Sequence, residues 1–397
     1  MKNIKTMKNL KTMKNILIIA LLALVACNSA PQAPHMVTID PKADQIINLA
    51  DKVETVELVR LELTDKSMLS LITGVLEYDD KYIVSSSSGQ SICVFDKQGK
   101  FLYNIGSVGR ADNEYLVIGR IMLDEKQEQL IVYDIMSCRL VYYTMSGEFV
   151  KAESLKGIEG SFDEIINLPN GNFLIYRYAH TSKNSTSLNT LREITPSGEV
   201  VATHWQDDTV QPNVGGSDME YAPNGKVAIA SKEVIGQLEF GDKVDTIVMY
   251  DVQGPTAKTY AGIGNKEFTD NWINGKTFNA QVRTAYTDRY ILSTWNGDTV
   301  GDMYNSLYDR QKGDVVVGRR FDFAAADGTR AFPSVALEED TYDALIFVST
   351  NIHNSVVVPI YPDLFLASDK YAQYQKDIIG EQEIEEMNPV LQIWKFM

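Results

Sequence analysis

Residues able to do chemistry are few in this chain, and they are scattered. The four histidines, His35, His180, His204 and His353, share no His-x-His or His-Glu-x-x-His spacing that would set a metal site. Gly-x-Ser-x-Gly does not occur, so no nucleophile elbow is present. Gly106-Ser107-Val108-Gly109-Arg110 lies between strands and opens no helix, which denies it the helix N-terminal amides that cradle phosphate. Carboxylates are plentiful, and a ring of them around a channel could hold calcium, but no spacing singles out a ligand set. The expectation is no catalytic residue, no metal ligand and no cofactor, with calcium the one ion held in reserve. Residues suited to recognition remain. Trp205, Trp272 and Trp295, with Tyr178 and Tyr304 nearby, fall in stretches read as loops. Exposed aromatic faces beside Asn and Asp hold sugar rings by stacking, and they serve protein partners equally well. The binding candidates are Arg110, Glu114, Tyr115, Arg177, Trp272 and Trp295.

Positioning these side chains falls to a repeated unit. Between Tyr78 and Gly106 the chain reads as an acidic turn, the apolar run Tyr82-Ile83-Val84, a Ser/Gly loop, the run Ile92 to Phe95, a Lys97-Gln98-Gly99 turn and a last strand. Short apolar runs punctuated by turn residues predict hairpins. A turn followed by an apolar run recurs at Asp79-Asp80, Asp124 to Gln129, Asn170-Gly171, Asn224-Gly225, Thr287-Asp288 and Glu339-Asp340, six copies about 53 residues apart. An apolar residue shortly before a turn glycine recurs five times, at Phe95/Gly99, Tyr143/Gly147, Ile194/Gly198, Tyr250/Gly254 and Tyr308/Gly313. Repeats of this length holding four short strands predict an all-β chain, a six-bladed β-propeller. The missing sixth glycine turn fits a last blade closed by both termini. Its third strand is then Val390 to Phe396 and its fourth Val56 to Leu63, where Val59, Leu61 and Leu63 alternate with Arg60 and Glu62. One short helix is predicted over Asp369 to Ile379, capped by Ser368 and ended by Gly380.

Residues 1–26 read as a leader. Lys2, Lys5, Lys8, Lys11 and Lys14 precede an apolar core, Ile16 to Ala26, too short for a lasting membrane span. Leu24-Val25-Ala26-Cys27 has the form of a lipobox, which makes Cys27 the expected lipidation site. Pro31, Pro34 and Pro41 then predict an extended tether over 27–52, ahead of a propeller over 53–397. Removing the five leader lysines leaves 32 Lys and Arg against 53 Asp and Glu, a net charge of −21 where the whole chain has −16. With no basic stripe to offset it, that surface repels nucleic acid and anionic lipid. Contact with a membrane is thus expected only through the anchor. Cys93 and Cys138 fall on equivalent strands of successive blades, about 10 Å apart as packed sheets are, which predicts two thiols rather than a disulfide.

The lipobox, the strand Val59-Arg60-Leu61-Glu62-Leu63, the run Val94 to Leu102 and the closing Asn388-Pro389-Val390-Leu391 together resemble the six-bladed β-propeller lipoproteins of Bacteroidetes-type bacteria. Such proteins carry a Gly-Gln-Gly-Pro-Gly-Glu-Tyr loop after the first blade. Gly109, Glu114 and Tyr115 match it, while the middle glycine and proline are replaced. The resemblance implies a fold and a place in the cell envelope and no settled activity, and because no acidic run follows Cys27, the periplasmic side of the outer membrane is expected rather than the surface. In a propeller the first-to-second and third-to-fourth strand turns share one rim, and the other connections share the opposite rim. The second set is the long one here, at Arg177 to Asn189, His204 to Asp218, Ser231 to Lys243, Gly262 to Phe278 and Trp295 to Asn305. Long loops on a rigid scaffold are where binding concentrates. The expected function is a lipid-anchored, non-enzymatic binding scaffold for a glycan or a partner protein on that rim. The alternative is a divalent-cation-dependent hydrolase or lyase with its site in the central channel.

Overall fold

The computed structural model describes residues 35–87, 90–155, 158, 162, 164–177, 180–182, 185–187, 189–207, 217–222, 226–231, 236–240, 244–254, 280–297, 302–323, 347–362 and 387–397. Their regular structure is entirely strand. Five antiparallel four-stranded meanders follow one another: Ile72–Tyr78 to Phe101–Asn104, Ile118–Asp124 to Phe149–Ser154, Glu164–Asn167 to Val200–Asp207, Ser217–Ala222 to Val244–Val252, and Ala280–Tyr286 to Asp314–Gly318. Their first strands touch in chain order around an axis, and this is the β-propeller arrangement. The middle strands are apolar on both faces because each blade is covered on both sides. In Gln129–Asp134, Leu130 and Val132 face the first sheet while Ile131 and Tyr133 face the third. Fully burying one such side chain contributes roughly 1.5–3 kcal/mol, so neighbouring blades supply the stability that no single blade has.

The expectation of six four-stranded blades is met by five. The remaining sector holds a three-stranded sheet, Ser355–Ile360, Val390–Phe396 and Val53–Arg60. Both termini are woven into it, and Trp394 stands opposite Val56. Among the described residues, its inner side carries one bridge, Val348 to Val357, and Ser349–Thr350 pairs in parallel with Gly74–Val75 of the first sheet. A side chain at Gly74 would crowd Ser85 Oγ at 3.2 Å, while the Ser349 carbonyl lies at ordinary contact distance. Asn388 secures the seam. Its buried amide donates to the Glu62 and Ser67 carbonyls at 2.9 and 2.6 Å and accepts from the Leu69 N–H at 2.8 Å.

Two further expectations are corrected. Residues from His35 onward are not a free tether. His35–Ile39 adds as a fifth, parallel strand to Val244–Val252, with Val37 and Ile39 buried, and Ile46–Asn48 pairs in parallel with Arg320–Asp322. Alternating apolar residues in that stretch outweigh its prolines, because an outer sheet edge is there to receive them. Gly254 does not turn the third strand into the fourth. The outer strand of the fourth sheet is Val244–Val252, and Gly254, at φ +100°, follows it. The other four repeat glycines do sit at that turn, with φ between +74° and +91°. Cys27, the rest of the leader and the predicted helix lie outside the described residues.

Candidate functional site

On the long-loop rim, the stretch from Gly106 to Tyr115 folds on itself. Tyr115 is buried between the first two sheets and donates its hydroxyl to the Ile105 carbonyl at 3.1 Å. Glu114 turns back to accept from the Ala111 N–H at 2.8 Å, and its carboxylate fills the space where a Gly109 side chain would stand. Arg139 donates to the Ala111 and Glu114 carbonyls at 3.1 and 2.6 Å. The three residues shared with the resembled loop, Gly109, Glu114 and Tyr115, are therefore the ones that shape it. Arg110 stands exposed at its tip.

The aromatic candidates divide differently. Trp295 belongs to the strand Tyr290–Asn296 and is fully buried. It donates to Ser306 Oγ at 2.8 Å, meets Tyr250 edge-on at 5.0 Å and stacks on buried Tyr304 at 5.9 Å. Neither Trp295 nor Tyr115 presents a ring to a surface ligand, because the blade interfaces claim both. Trp205 lies on the outer strand of the third sheet and stacks on Tyr176 at 6.2 Å. Arg177 ends the second strand of that sheet, half-buried, at the start of a long loop. Trp272 and Tyr178 are outside the described residues.

The sequence singled out no residue of the central channel. Arg120 sits on the first strand of the second sheet, just after a bulge between Ile118 and Arg120, and a bulge re-aims the side chain that follows it. Its guanidinium donates to Glu220 Oε2 at 3.3 Å and Ser349 Oγ at 2.7 Å and stands 3.6 Å from Glu164 Oε2. One side chain thereby joins the first strands of the second, third and fourth sheets to the Ser349 segment. The only signal in sequence was a lone arginine inside an apolar run, Ile118 to Leu123. A divalent cation in this part of the channel would compete with Arg120 for Glu164 and Glu220. Among the described residues no three His, Cys, Asp or Glu side chains converge as a metal site. Burial pushes the Cys93 thiol up to about 11, which makes it a poor nucleophile, and neither Cys93 nor Cys138 is in a disulfide.

A cavity of ≈140 Å³ lies beside this brace, bounded by Glu220, Tyr286, Asp288, Asn351, His353 and Asn354. Asp288 and Asn354 belong to first-to-second strand turns, and the Asp288 N–H donates to Asn354 Oδ1 at 3.0 Å. The cavity therefore sits toward the short-turn rim, opposite to the rim that loop length favours.

Among the described residues of the long-loop rim, five apolar side chains are left in solvent: Met68, Leu71, Val108, Ile135 and Met136, with Met68 and Met136 both 69% exposed. All five stand on connections that enter or cross the first two blades.

In shape, the fold is similar to a Bacteroides fragilis protein described as exported, with a TM-score of 0.69 at 15% identity over 91% of this chain and 99% of that one. A weaker likeness, TM-score 0.47 at 11% identity over 88% and 99%, links it to a member of the DUF4221 family from Bacteroides vulgatus. No curated protein matches the sequence. The sequence model of one family covers residues 36–395, from the first described strand to the closing one, and the chain accordingly belongs to the DUF4934 family, a domain of unknown function.

Proposed function

We propose that the protein is an exported, lipid-anchored, six-bladed β-propeller that binds a partner protein on its long-loop rim and catalyses no reaction. The sixth blade in this reading is the three-stranded sheet that both termini build. The observation that carries the proposal is the set of solvent-facing apolar side chains on that rim, Met68, Leu71, Val108, Ile135 and Met136. Apolar groups exposed on one rim suit a protein partner, and methionine adapts to partner surfaces. This favours a protein over a glycan, which would call for exposed aromatic faces, and Trp295 has none to offer. The channel supports the non-catalytic reading, because Arg120 already engages Glu164 and Glu220. Export is supported by the leader and by likeness to a Bacteroides fragilis protein described as exported.

The test is affinity capture from an envelope extract. Met68→Glu with Met136→Glu is expected to reduce recovery of the captured protein at least tenfold, while Val316→Glu on the outer strand of the fifth sheet leaves it intact. Equal loss in both variants, or selective binding on a glycan panel with no protein captured, overturns the proposal. Cys27→Ala is expected to move the chain from the membrane to the soluble fraction, and unchanged partitioning overturns the anchor.

A further inference from the structure

The N-terminal segment treats the outer sheet edges of the ring unequally. Residues 35–39 cover the outer strand of the fourth sheet, and 46–48 pair with the strand that follows the outer strand of the fifth. Residues 53–60 are themselves the outer strand of the three-stranded sheet. The segment after them reaches the first sheet, where Glu62 accepts from the Phe101 N–H at 2.8 Å and the Lys66 carbonyl accepts from the Asn104 side chain at 2.8 Å. Among the described residues, no strand pairs with the outer strand of the second sheet, Phe149–Ser154, or with that of the third, Val200–Asp207.

The open strand of the second sheet is complementary to itself. Its residues Phe149-Val150-Lys151-Ala152-Glu153-Ser154 carry a cation and an anion placed symmetrically about Ala152, which pair with each other at 3.2 Å within one copy and can exchange partners with a second. In an antiparallel pair of two such strands centred on Ala152, each Lys151 stands opposite the Glu153 of the other copy, twice per dimer. The backbone has the right phase for this. The Leu155 N–H donates to the Cys138 carbonyl, and the register continues as Arg139 opposite Ser154 and Leu140 opposite Glu153. Antiparallel pairs alternate in direction, so the backbone groups of Leu155 and Glu153 point into the sheet, while those of Ser154 and Ala152 point outward. Centring on Ala152 therefore makes Ala152 a hydrogen-bonded pair across the interface. Lys151 and Glu153 then fall on non-hydrogen-bonded pairs, where opposite side chains are closest. Phe149 and Val150, each 40% exposed, flank the contact. The outer strand of the third sheet has no such symmetry of charge.

We propose that the outer edge of the second sheet is a self-association site, with two copies joined antiparallel through Phe149–Ser154 in the register centred on Ala152. The fold already extends one of its sheets by a fifth strand at His35–Ile39, and this contact would extend another between molecules. The interface is small, so association is expected near 0.1 mM, on the order of the weakest specific complexes. Sedimentation equilibrium of the full chain at about 0.2 mM, in salt near 0.15 M where net repulsion is screened beyond roughly 8 Å, reads it directly. Lys151→Glu or Glu153→Lys alone sets like charges face to face and is expected to weaken association about tenfold or more. Mixing the two single variants restores it, because both charged positions are acidic in the first variant and basic in the second, so every facing pair is again of opposite sign. Ala152→Pro removes the central N–H and abolishes association, with an unchanged melting curve showing that the fold is kept. A monomeric wild type at about 0.2 mM, well above the expected dissociation constant, overturns the site. So do single charge reversals that associate as well as wild type, or a mixture that fails to recover. A dimer that survives Ala152→Pro overturns it too, since it must use another face.

Discussion

Asp134 shows how one side chain can stiffen a loop that the repeat alone leaves loose. It ends the second strand of the second sheet, fully buried, and accepts from the backbone N–H groups of Leu116, Val117 and Ser137 at 3.1–3.3 Å, with Arg139 Nε 3.5 Å away. Burial opposes its ionisation most strongly, but the hydrogen bonds from Ser137, Leu116 and Val117 together outweigh that cost. The carboxyl is held below the ordinary aspartate value of 3.8. A carboxyl depressed in the folded chain contributes stability that is complete above its unfolded value and is lost as pH falls through the folded one. The working window thus lies below about pH 4. Asp134→Asn is expected to lower stability at pH 7 by about 2–4 kcal/mol, since it turns an amide donor toward backbone donors. The melting temperatures of variant and wild type should converge as pH drops from about 4 toward about 2. A gap that stays constant across that range would show that the charge is not what stabilises. Arg120 acts at the same scale in the channel, and neither residue was visible in advance. Each is an ordinary polar residue in an apolar stretch until folding brings its partners to it, from the flanking loops of the same sheet for Asp134 and from across the channel for Arg120.

At the scale of the strand and turn, the sequence was far more legible. Gly99, Gly147, Gly198 and Gly313 were readable because a turn at φ near +80° is strained for any residue with a Cβ, so the repeat keeps glycine there. The unit that misled was the fourth. There Tyr250/Gly254 imitates the pattern one strand late, and local composition cannot tell a third strand from a fourth when both are apolar and short. Trp295 misled in the opposite sense, because a tryptophan beside Asn296 and Gly297 reads as a loop residue, yet it is the last inward-facing position of a strand. Two glycines separate conformational strain from crowding. Gly171 has φ +88° and nothing within 4 Å of where a Cβ would stand, whereas Gly99 has φ +84° and its Cβ would overlap the Arg60 carbonyl on the ring-closing strand. Gly171→Ala is expected to cost about 1–2 kcal/mol from backbone strain alone. Gly99→Ala should cost at least about 2 kcal/mol more, because the seam between the first sheet and the three-stranded sheet must open to admit it. Equal chemical-denaturation midpoints for the two variants would refute the crowding argument.

For the whole molecule, the decisive feature is the path of the N-terminal segment around the outside of the ring. A tether could be cut back without consequence to the fold. The observed segment instead places Val37 and Ile39 in the cluster between the fourth and fifth sheets, and Ile47 and Leu49 in the cluster between the fifth sheet and the three-stranded one. Four buried apolar side chains at roughly 1.5–3 kcal/mol each set an upper range near 6–12 kcal/mol, and real unfolded chains bury part of that surface already. Deleting residues 35–49 is therefore expected to cost on the order of 5 kcal/mol. That is a large share of the roughly 5–15 kcal/mol that keeps a typical domain folded. The deletion also bares the outer edge of the fourth sheet, Val244–Val252, which His35–Ile39 otherwise covers, and an uncovered edge is a template for aggregation. The truncated chain should melt well below the intact one and lose solubility on warming, while the wild type unfolds in a single step because the segment ties three sectors of the ring together. Identical melting curves for the two proteins would return residues 35–49 to the role of a spacer and leave the ring closed by Val53–Arg60 and Val390–Phe396 alone.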